Sequence, residues 1–241
     1  MSDSGSKGPG GPKNSPVGLK VTGTPGPGPF RIPSEKDRIV KLFENLPRTP
    51  VIKSPVIRGA AIGLTKKALP PEPILPLERP QAVAKCEETQ NPREVVRALL
   101  GYGIGIARRA LLFYPSGHAL KGIEGIGSSI SPESVPSIEL DLAKPSVFRN
   151  FTYGAACYLG PVPRTDTNDL FVRLTGGERP AGALIVPVLA GDRAANLLYL
   201  DNGQAKDIEA DMGELLLLTA AAGKAYERII SARRGVRKEG L

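Results

Sequence analysis

The stretch ALIVPVLAGDRAANLLYLD, residues 183–201, contains two apolar runs on either side of a Gly-Asp turn. Aliphatic residues dominate both runs, and the first contains three β-branched residues and the second a tyrosine, types that are enriched in strands. Gly191 and Asp192 between them are typical turn residues. The pattern predicts two strong strands at 183–188 and 194–200 that pair as a β-hairpin.

Weaker signals on both sides extend this hairpin into a larger domain. Further strands are predicted at 110–114 and 118–123 around a Pro-Ser-Gly turn, at 138–142 and at 157–159. Helices are predicted from Asn91 through Arg109, at 145–151, at 168–174, and from Asp207 or Asp211 to Arg233. Runs of neighbouring strands with helices at the ends predict an α+β fold, an antiparallel sheet with flanking helices, over residues 91–234.

Residues 1–90 differ in composition from the rest of the chain. Residues 1–85 contain 14 Lys and Arg, 6 Asp and Glu and 15 of the 24 prolines, whereas residues 86–241 contain 18 basic and 18 acidic residues. A chain so rich in Gly, Pro and Ser buries too little apolar surface to offset its ordering entropy. We therefore expect a largely disordered basic arm over 1–90, with a proline-rich spacer at 59–90, and a solvated basic tail at 235–241.

The arm contains two apolar features that we interpret as protein-binding. A short helix is predicted at about 34–46, with an apolar stripe. Two repeats follow at 49–53 and 54–58, and each consists of a hydroxyl residue, proline, two β-branched residues and a cation. These features either dock on a partner's groove or sheet edge or cover part of this protein's own domain, and both interpretations stay open. The candidate partner-binding residues are Ile39, Val40, Phe43, Val51, Ile52, Val56 and Ile57.

The sequence lacks the constellations that catalysis and metal binding need. His118 is the only histidine, so a catalytic dyad or a histidine-based metal site is not expected, and we place His118 on the surface or in a strand. The glycines of 101–105 follow a helical pattern and not a strand, which favours close helix packing over dinucleotide binding. Cys86 and Cys157 are too few for a disulfide framework or a zinc site. We therefore expect no catalytic residue, metal or cofactor, and no enzyme activity.

Several short motifs, in their order along the chain, resemble those of GAF-like domains. The order is Pro-Ser-Val-Phe, Leu-Gly-Pro, Val-Pro-Val and Leu-Tyr-x-Asp-Asn. The resembling segments are 108–113, 144–149, 158–161, 183–188, 196–202 and 225–228. The domain, about 92–234, is most similar to divergent versions from gliding and predatory bacteria, which often accompany signalling or secretion-ATPase modules.

The resemblance implies a regulatory fold that is usually non-catalytic and often dimeric through its terminal helices. It also implies a cavity beneath the sheet, which Phe148, Tyr153, Asn168 and Tyr199 would border. Plain core packing is the alternative for the aromatic residues among them. The cysteine of chromophore-binding members has no counterpart here, and no cyclic-nucleotide signature is present, so no cofactor is implied.

These observations lead to three hypotheses about function. The first is a non-enzymatic signalling adaptor, in which the domain dimerises or binds a partner and the arm docks a second protein. By resemblance, its setting would be bacterial polarity, motility or secretion, for example as an accessory factor of a small GTPase. The alternatives are a small-ligand sensor and, less favoured because its cations are spread out, nucleic-acid binding through the arm. No signal peptide or membrane-spanning run is visible, so the expected location is cytoplasmic.

Overall fold

The computed structural model describes residues 72–153, 157–205 and 208–238. Its four α-helices are α1 Arg79–Glu88, α2 Pro92–Ile106, α3 Asp166–Leu174 and α4 Met212–Lys238. Its six strands are β1 Arg109–Ser116, β2 Ala119–Gly127, β3 Glu139–Asp141, β4 Tyr158–Gly160, β5 Ala183–Ala190 and β6 Arg193–Asp201. Two short 3₁₀ helices lie at Val135–Ser137 and Arg149–Tyr153. None of the helices in these residues is long and apolar enough to cross a membrane.

The six strands form one antiparallel sheet in the order β3-β2-β1-β6-β5-β4. Both predicted hairpins are present, β1 with β2 and β5 with β6, and β1 pairs with β6 to join them at the centre of the sheet. The predicted α+β fold with an antiparallel sheet and flanking helices is therefore confirmed.

Both faces of the sheet are covered, which explains the continuous apolar runs of the central strands. In β1, Leu112 packs on one face with the helices, while Leu111 and Phe113 pack on the other face. In β6, Leu198 packs on the face that carries the helices, and Tyr199 packs on the opposite face. Successive strand side chains point to opposite faces, so a strand buried on both sides is apolar at most of its positions.

The first face carries α1, α2 and α4. The glycines of α2 allow this helix to approach its neighbours closely, as the packing interpretation predicts. A Cβ at Gly103 would lie 2.8 Å from Leu200 Cδ2 and 2.9 Å from Ala110 Cβ, and one at Gly101 would lie 2.9 Å from the Leu75 carbonyl oxygen. The Asn91 side chain caps α2 by accepting a hydrogen bond from the Arg93 N–H, as its position predicts.

The folded part begins earlier than the predicted boundary at residue 91. Residues assigned to the spacer form α1, and its residues Ala82 and Cys86 are fully buried in the core beneath the helices. Pro80 stands in the first turn of α1, where a helix tolerates proline because the first N–H groups have no intrahelical partner. Arg228 of α4 donates hydrogen bonds to the carbonyls of Cys86 and Thr89 and so caps the end of α1.

Two further expectations differ from the structure, and a third lies outside it. The helix predicted at 145–151 is the shorter 3₁₀ helix Arg149–Tyr153. The backbone of α4 stays helical to Lys238, so the predicted tail at 235–241 is in part a helix end. The predicted helix at 34–46 and all seven candidate partner-binding residues lie outside the described residues.

Gly223 of α4 lies where a methyl group would clash with β5. An added Cβ would lie 1.9 Å from the carbonyl oxygen of Leu189, and a backbone atom cannot rotate away. Alanine normally stabilises a helix by about 0.5–1 kcal/mol relative to glycine, but overpacking costs about 1–3 kcal/mol or more. We therefore expect Gly223→Ala to lower the free energy of unfolding in urea by at least about 1 kcal/mol.

Gly105→Ala in α2 is the matched control. A Cβ there would lie 3.4 Å from the nearest atom, the Leu77 carbonyl oxygen, which is an ordinary contact. This variant should be neutral or slightly more stable than wild type. Equal unfolding free energies for the two variants would show that α4 does not lie this close to β5.

Candidate functional site on the second face of the sheet

The second face of the sheet brings together three of the four residues predicted to border a cavity. Tyr199 comes from β6, Asn168 from α3, and Phe148 from the turn before the second 3₁₀ helix, and all three are fully buried. Tyr153 ends that 3₁₀ helix, and only its backbone is described. Three of the four residues that the resemblance implies thus lie beneath one face of the sheet, and a ligand cavity there stays a prediction.

The space between these segments is occupied by four aromatic rings. The Phe148 ring centroid lies 5.1 Å from that of Phe171, 5.6 Å from that of Phe113 and 5.9 Å from that of Tyr199. Phe171 and Tyr199 are 4.9 Å apart and nearly perpendicular, at 73°. These are the separations and tilts of closely packed aromatic pairs. The packing alternative for the aromatic residues thus describes their arrangement here, while ligand binding by them stays a prediction.

Asn168 connects two loops on this face. Its Oδ1 accepts a hydrogen bond from the Val147 N–H at 3.2 Å, and its Nδ2 donates one to the Pro163 carbonyl at 2.9 Å. Because the side chain is fully buried, both bonds replace water that the amide loses on folding. The side chain holds the segment before Phe148 against α3.

A buried ion pair lies on the same face at the end of the central strands. Arg109 begins β1 and Asp201 ends β6, and the two are direct strand partners. Arg109 Nε donates to Asp201 Oδ1 at 2.7 Å, and its Nη1 and Nη2 donate to the carbonyls of Thr175 and Glu178 at 3.3 and 3.2 Å. The side chains are 2% and 1% exposed, so this pair is screened far less than a surface pair.

Tyr199 stands two residues before Asp201 on the same strand face. Burial raises the pKa of its hydroxyl well above 10, and the Asp201 charge raises it further. The phenol therefore stays protonated and neutral, beside a carboxylate that already binds Arg109 and the Gly203 N–H. This arrangement fixes the ends of β1 and β6.

Sequence reasoning did not predict this ion pair. The sequence pattern places Arg109 at the end of the helix predicted from Asn91 and in a short motif, whereas the helix ends at Ile106 and Arg109 begins β1. From the same pattern, Asp201 is interpreted as part of a turn after β6. Asp201 does take part in the turn, because its Oδ1 accepts a hydrogen bond from the Gly203 N–H at 2.7 Å. Its ion pair with Arg109 is an additional role. The available signal was a charge at the start of one central strand and an opposite charge at the end of another, both beside continuous apolar runs.

Other groups that could carry chemistry lie apart. His118 is exposed in the turn between β1 and β2. Burial raises the pKa of the Cys86 thiol to about 12, which keeps it protonated, and Cys157 is exposed. Within 72–153, 157–205 and 208–238, no three His, Cys, Asp or Glu side chains come together in a way that could hold a metal ion.

A second surface of interest lies on the outer side of α4. Leu216 and Leu217 are 50% and 58% exposed near the start of this helix. Glu209 and Asp211 precede them and are exposed, and Asp211 Oδ1 caps the helix by accepting from the Gly213 N–H at 2.8 Å. Glu214 binds Arg79 at 3.1 Å. We call Glu209, Asp211, Glu214, Leu216 and Leu217 the acidic leucine face.

Comparison with known proteins gives similarity at the level of structure. No protein-family model matches the chain, and no curated protein matches it. Residues 122–287 of a methyl-accepting chemotaxis protein are 17% identical, with a TM-score of 0.50, covering 62% of this chain and 95% of that one. The GAF domain of an Acinetobacter phosphoenolpyruvate-protein phosphotransferase is 15% identical, with a TM-score of 0.48 and coverages of 66% and 94%.

The second GAF domain of DevS from Mycobacterium smegmatis is also similar, at 20% identity and a TM-score of 0.44, covering 61% of this chain and 99% of that one. At these identities the similarity concerns the fold alone.

Proposed function

We propose that the chain, whose GAF-like domain has a sheet and helices similar to part of a methyl-accepting chemotaxis protein, is a non-enzymatic cytoplasmic signalling adaptor. Its domain binds a second copy or another protein, and its N-terminal arm docks a partner through Ile39, Val40 and Phe43. The setting we propose is bacterial polarity, motility or secretion, with a small GTPase or its regulator as the partner class. The setting and this partner class come from the sequence resemblance.

One observation supports binding of a macromolecule over binding of a small molecule most directly. The second face, where a cavity would lie, is packed by four rings, whereas α4 presents two half-exposed leucines to solvent. A closed interior beside an open apolar surface favours an interaction with a macromolecule over capture of a small molecule. A role in signalling is also consistent with the similarity of the fold to part of a methyl-accepting chemotaxis protein.

Recovery of a partner from the native host tests the proposal. Tagged full-length wild type and an Ile39→Asp, Phe43→Asp variant are purified in parallel, and the bound proteins are identified by mass spectrometry. We expect one protein to be recovered with wild type in a fixed ratio and lost with the variant, while the thermal unfolding of the two chains is the same. Unchanged recovery with the variant would remove this role of the arm.

A further inference from the structure

The acidic leucine face combines apolar and negatively charged groups on one patch. Leu217 follows Glu214 by three residues, so the two side chains are neighbours on the helix surface. Side chains on a helix lean towards its N-terminus, which brings Leu216 and Leu217 towards the acidic first turn. Residues 207–223 contain four acidic and no basic residues. A complementary occupant therefore has apolar groups adjacent to cations.

One segment of this chain outside the described residues has this composition. Residues 45–71 contain five basic and no acidic residues. Within them, the repeats at 49–53 and 54–58 each place two β-branched residues directly before a cation, Lys53 or Arg58. Each repeat thus carries an apolar pair that matches Leu216 and Leu217 and a cation that complements Glu209 and Asp211, while Glu214 is already paired with Arg79.

The path of the chain brings this segment within reach. The described chain begins at Glu72, whose carbonyl accepts a hydrogen bond from Arg97 of α2 at 2.8 Å. Seven residues later, Arg79 pairs with Glu214 on the acidic leucine face at 3.1 Å. Seven residues span at most about 25 Å, and the 14 residues from Arg58 to Glu72 span up to about 50 Å. The tether is therefore longer than the distance it must cover.

We propose that the repeats at 49–58 dock on the acidic leucine face of their own chain. Val51, Ile52, Val56 and Ile57 cover Leu216 and Leu217, and Lys53 and Arg58 face Glu209 and Asp211. A tether of this length gives an effective concentration on the order of millimolar, so a weak contact suffices to hold the arm in place. Opposite charges guide the segment to this end of α4.

This contact would regulate the arm. The predicted helix at 34–46 lies only a few residues before the repeats, so a docked arm holds that helix close to α4 and limits its access to a partner. This consequence rests on the proposed function, whereas the contact itself is measured on the purified protein without a partner. Loss of partner binding therefore does not imply loss of the contact between the repeats and α4, and loss of that contact does not imply loss of partner binding.

A single tryptophan measures the contact, because the chain contains none. Ile57→Trp is made in the full-length protein, and its emission is compared with that of the same protein unfolded in urea. We expect emission at shorter wavelength in the folded protein, together with reduced quenching by acrylamide. Leu216→Ser with Leu217→Ser should shift the emission to the unfolded value, and Glu209→Lys should shift it part of the way, as should high salt.

The matched control is Leu159→Ser on β4, a leucine that is 60% exposed on another element. It removes the same kind of side chain and should leave the tryptophan emission unchanged. Circular dichroism and thermal unfolding confirm that each variant is folded, as expected for exposed positions.

The remaining outcomes overturn the proposal. Emission equal to that of the unfolded chain would show that the repeats are solvated. Emission that shifts back on hundredfold dilution would assign the contact to a second copy of the chain. Emission that responds to Leu159→Ser but not to the α4 variant would place the repeats on another surface.

Discussion

Replacing Arg109 with methionine is expected to lower the free energy of unfolding by about 3–5 kcal/mol, as measured by urea denaturation. The substitution leaves the Asp201 carboxylate, whose side chain is 1% exposed, without its cationic partner. It also removes the donors of the Thr175 and Glu178 carbonyls, which lie in the segment after α3. Arg109→Lys should recover only part of this loss, because one ammonium cannot reproduce the planar set of donors.

Two further measurements distinguish the cost of leaving a buried charge unpaired from the cost of removing a side chain. Arg109→Met combined with Asp201→Asn should cost less than the sum of the single variants, because the uncompensated charge is then absent. Lys121→Met, which breaks an exposed pair of 3.9 Å with Glu139, should cost at most about 1 kcal/mol. A cost below about 1 kcal/mol for Arg109→Met would contradict the buried pair.

Phe148→Ala is expected to have an effect of similar size, about 3–5 kcal/mol in the free energy of unfolding. The Phe148 ring touches three other rings and has no exposed surface, so its removal leaves a cavity lined by apolar groups. An apolar cavity of this kind stays dry and accepts small apolar molecules. Benzene should therefore raise the melting temperature of the variant and leave that of wild type unchanged.

Phe148→Leu is the control for this variant, because it retains most of the volume and should cost clearly less. A rise in the melting temperature of wild type with benzene would mean that the second face already contains an open cavity. That result would favour the ligand-sensor hypothesis over the packed interior described above.

The strongest parts of the fold could be predicted because the relevant signals are local. The Gly191–Asp192 turn and the capping residue Asn91 fix the ends of their elements within a few residues. The two central hairpins follow from these turns and from the apolar runs beside them. The two hairpins join through β1 and β6, which are far apart in the sequence. A single sequence gives only the order of the elements, so it does not show which strands pair across such a distance.

The parts that were missed depend on tertiary contacts. Helix α1 has little apolar character, and only Ala82 and Cys86 are buried in it, so its formation depends on α4. The Arg109–Asp201 pair joins residues 92 positions apart. Residue 168 was predicted beside a cavity, and the structure shows its amide binding loop backbone. In each case, the structure depends on a contact with a residue on another element.

The position of α1 decides how the arm can be removed without damaging the rest of the protein. A truncation that removes residues 1–90, where the change in composition suggests cutting, would strip Ala82 and Cys86 from the core and remove the two carbonyls to which Arg228 donates. Removal of residues 1–85 would delete Ala82 and most of α1. Loss of binding in such a truncation would then report a damaged helix layer. A truncation that begins the chain at Glu72 keeps α1 and the segment bound to Arg97, and it isolates what the basic arm contributes.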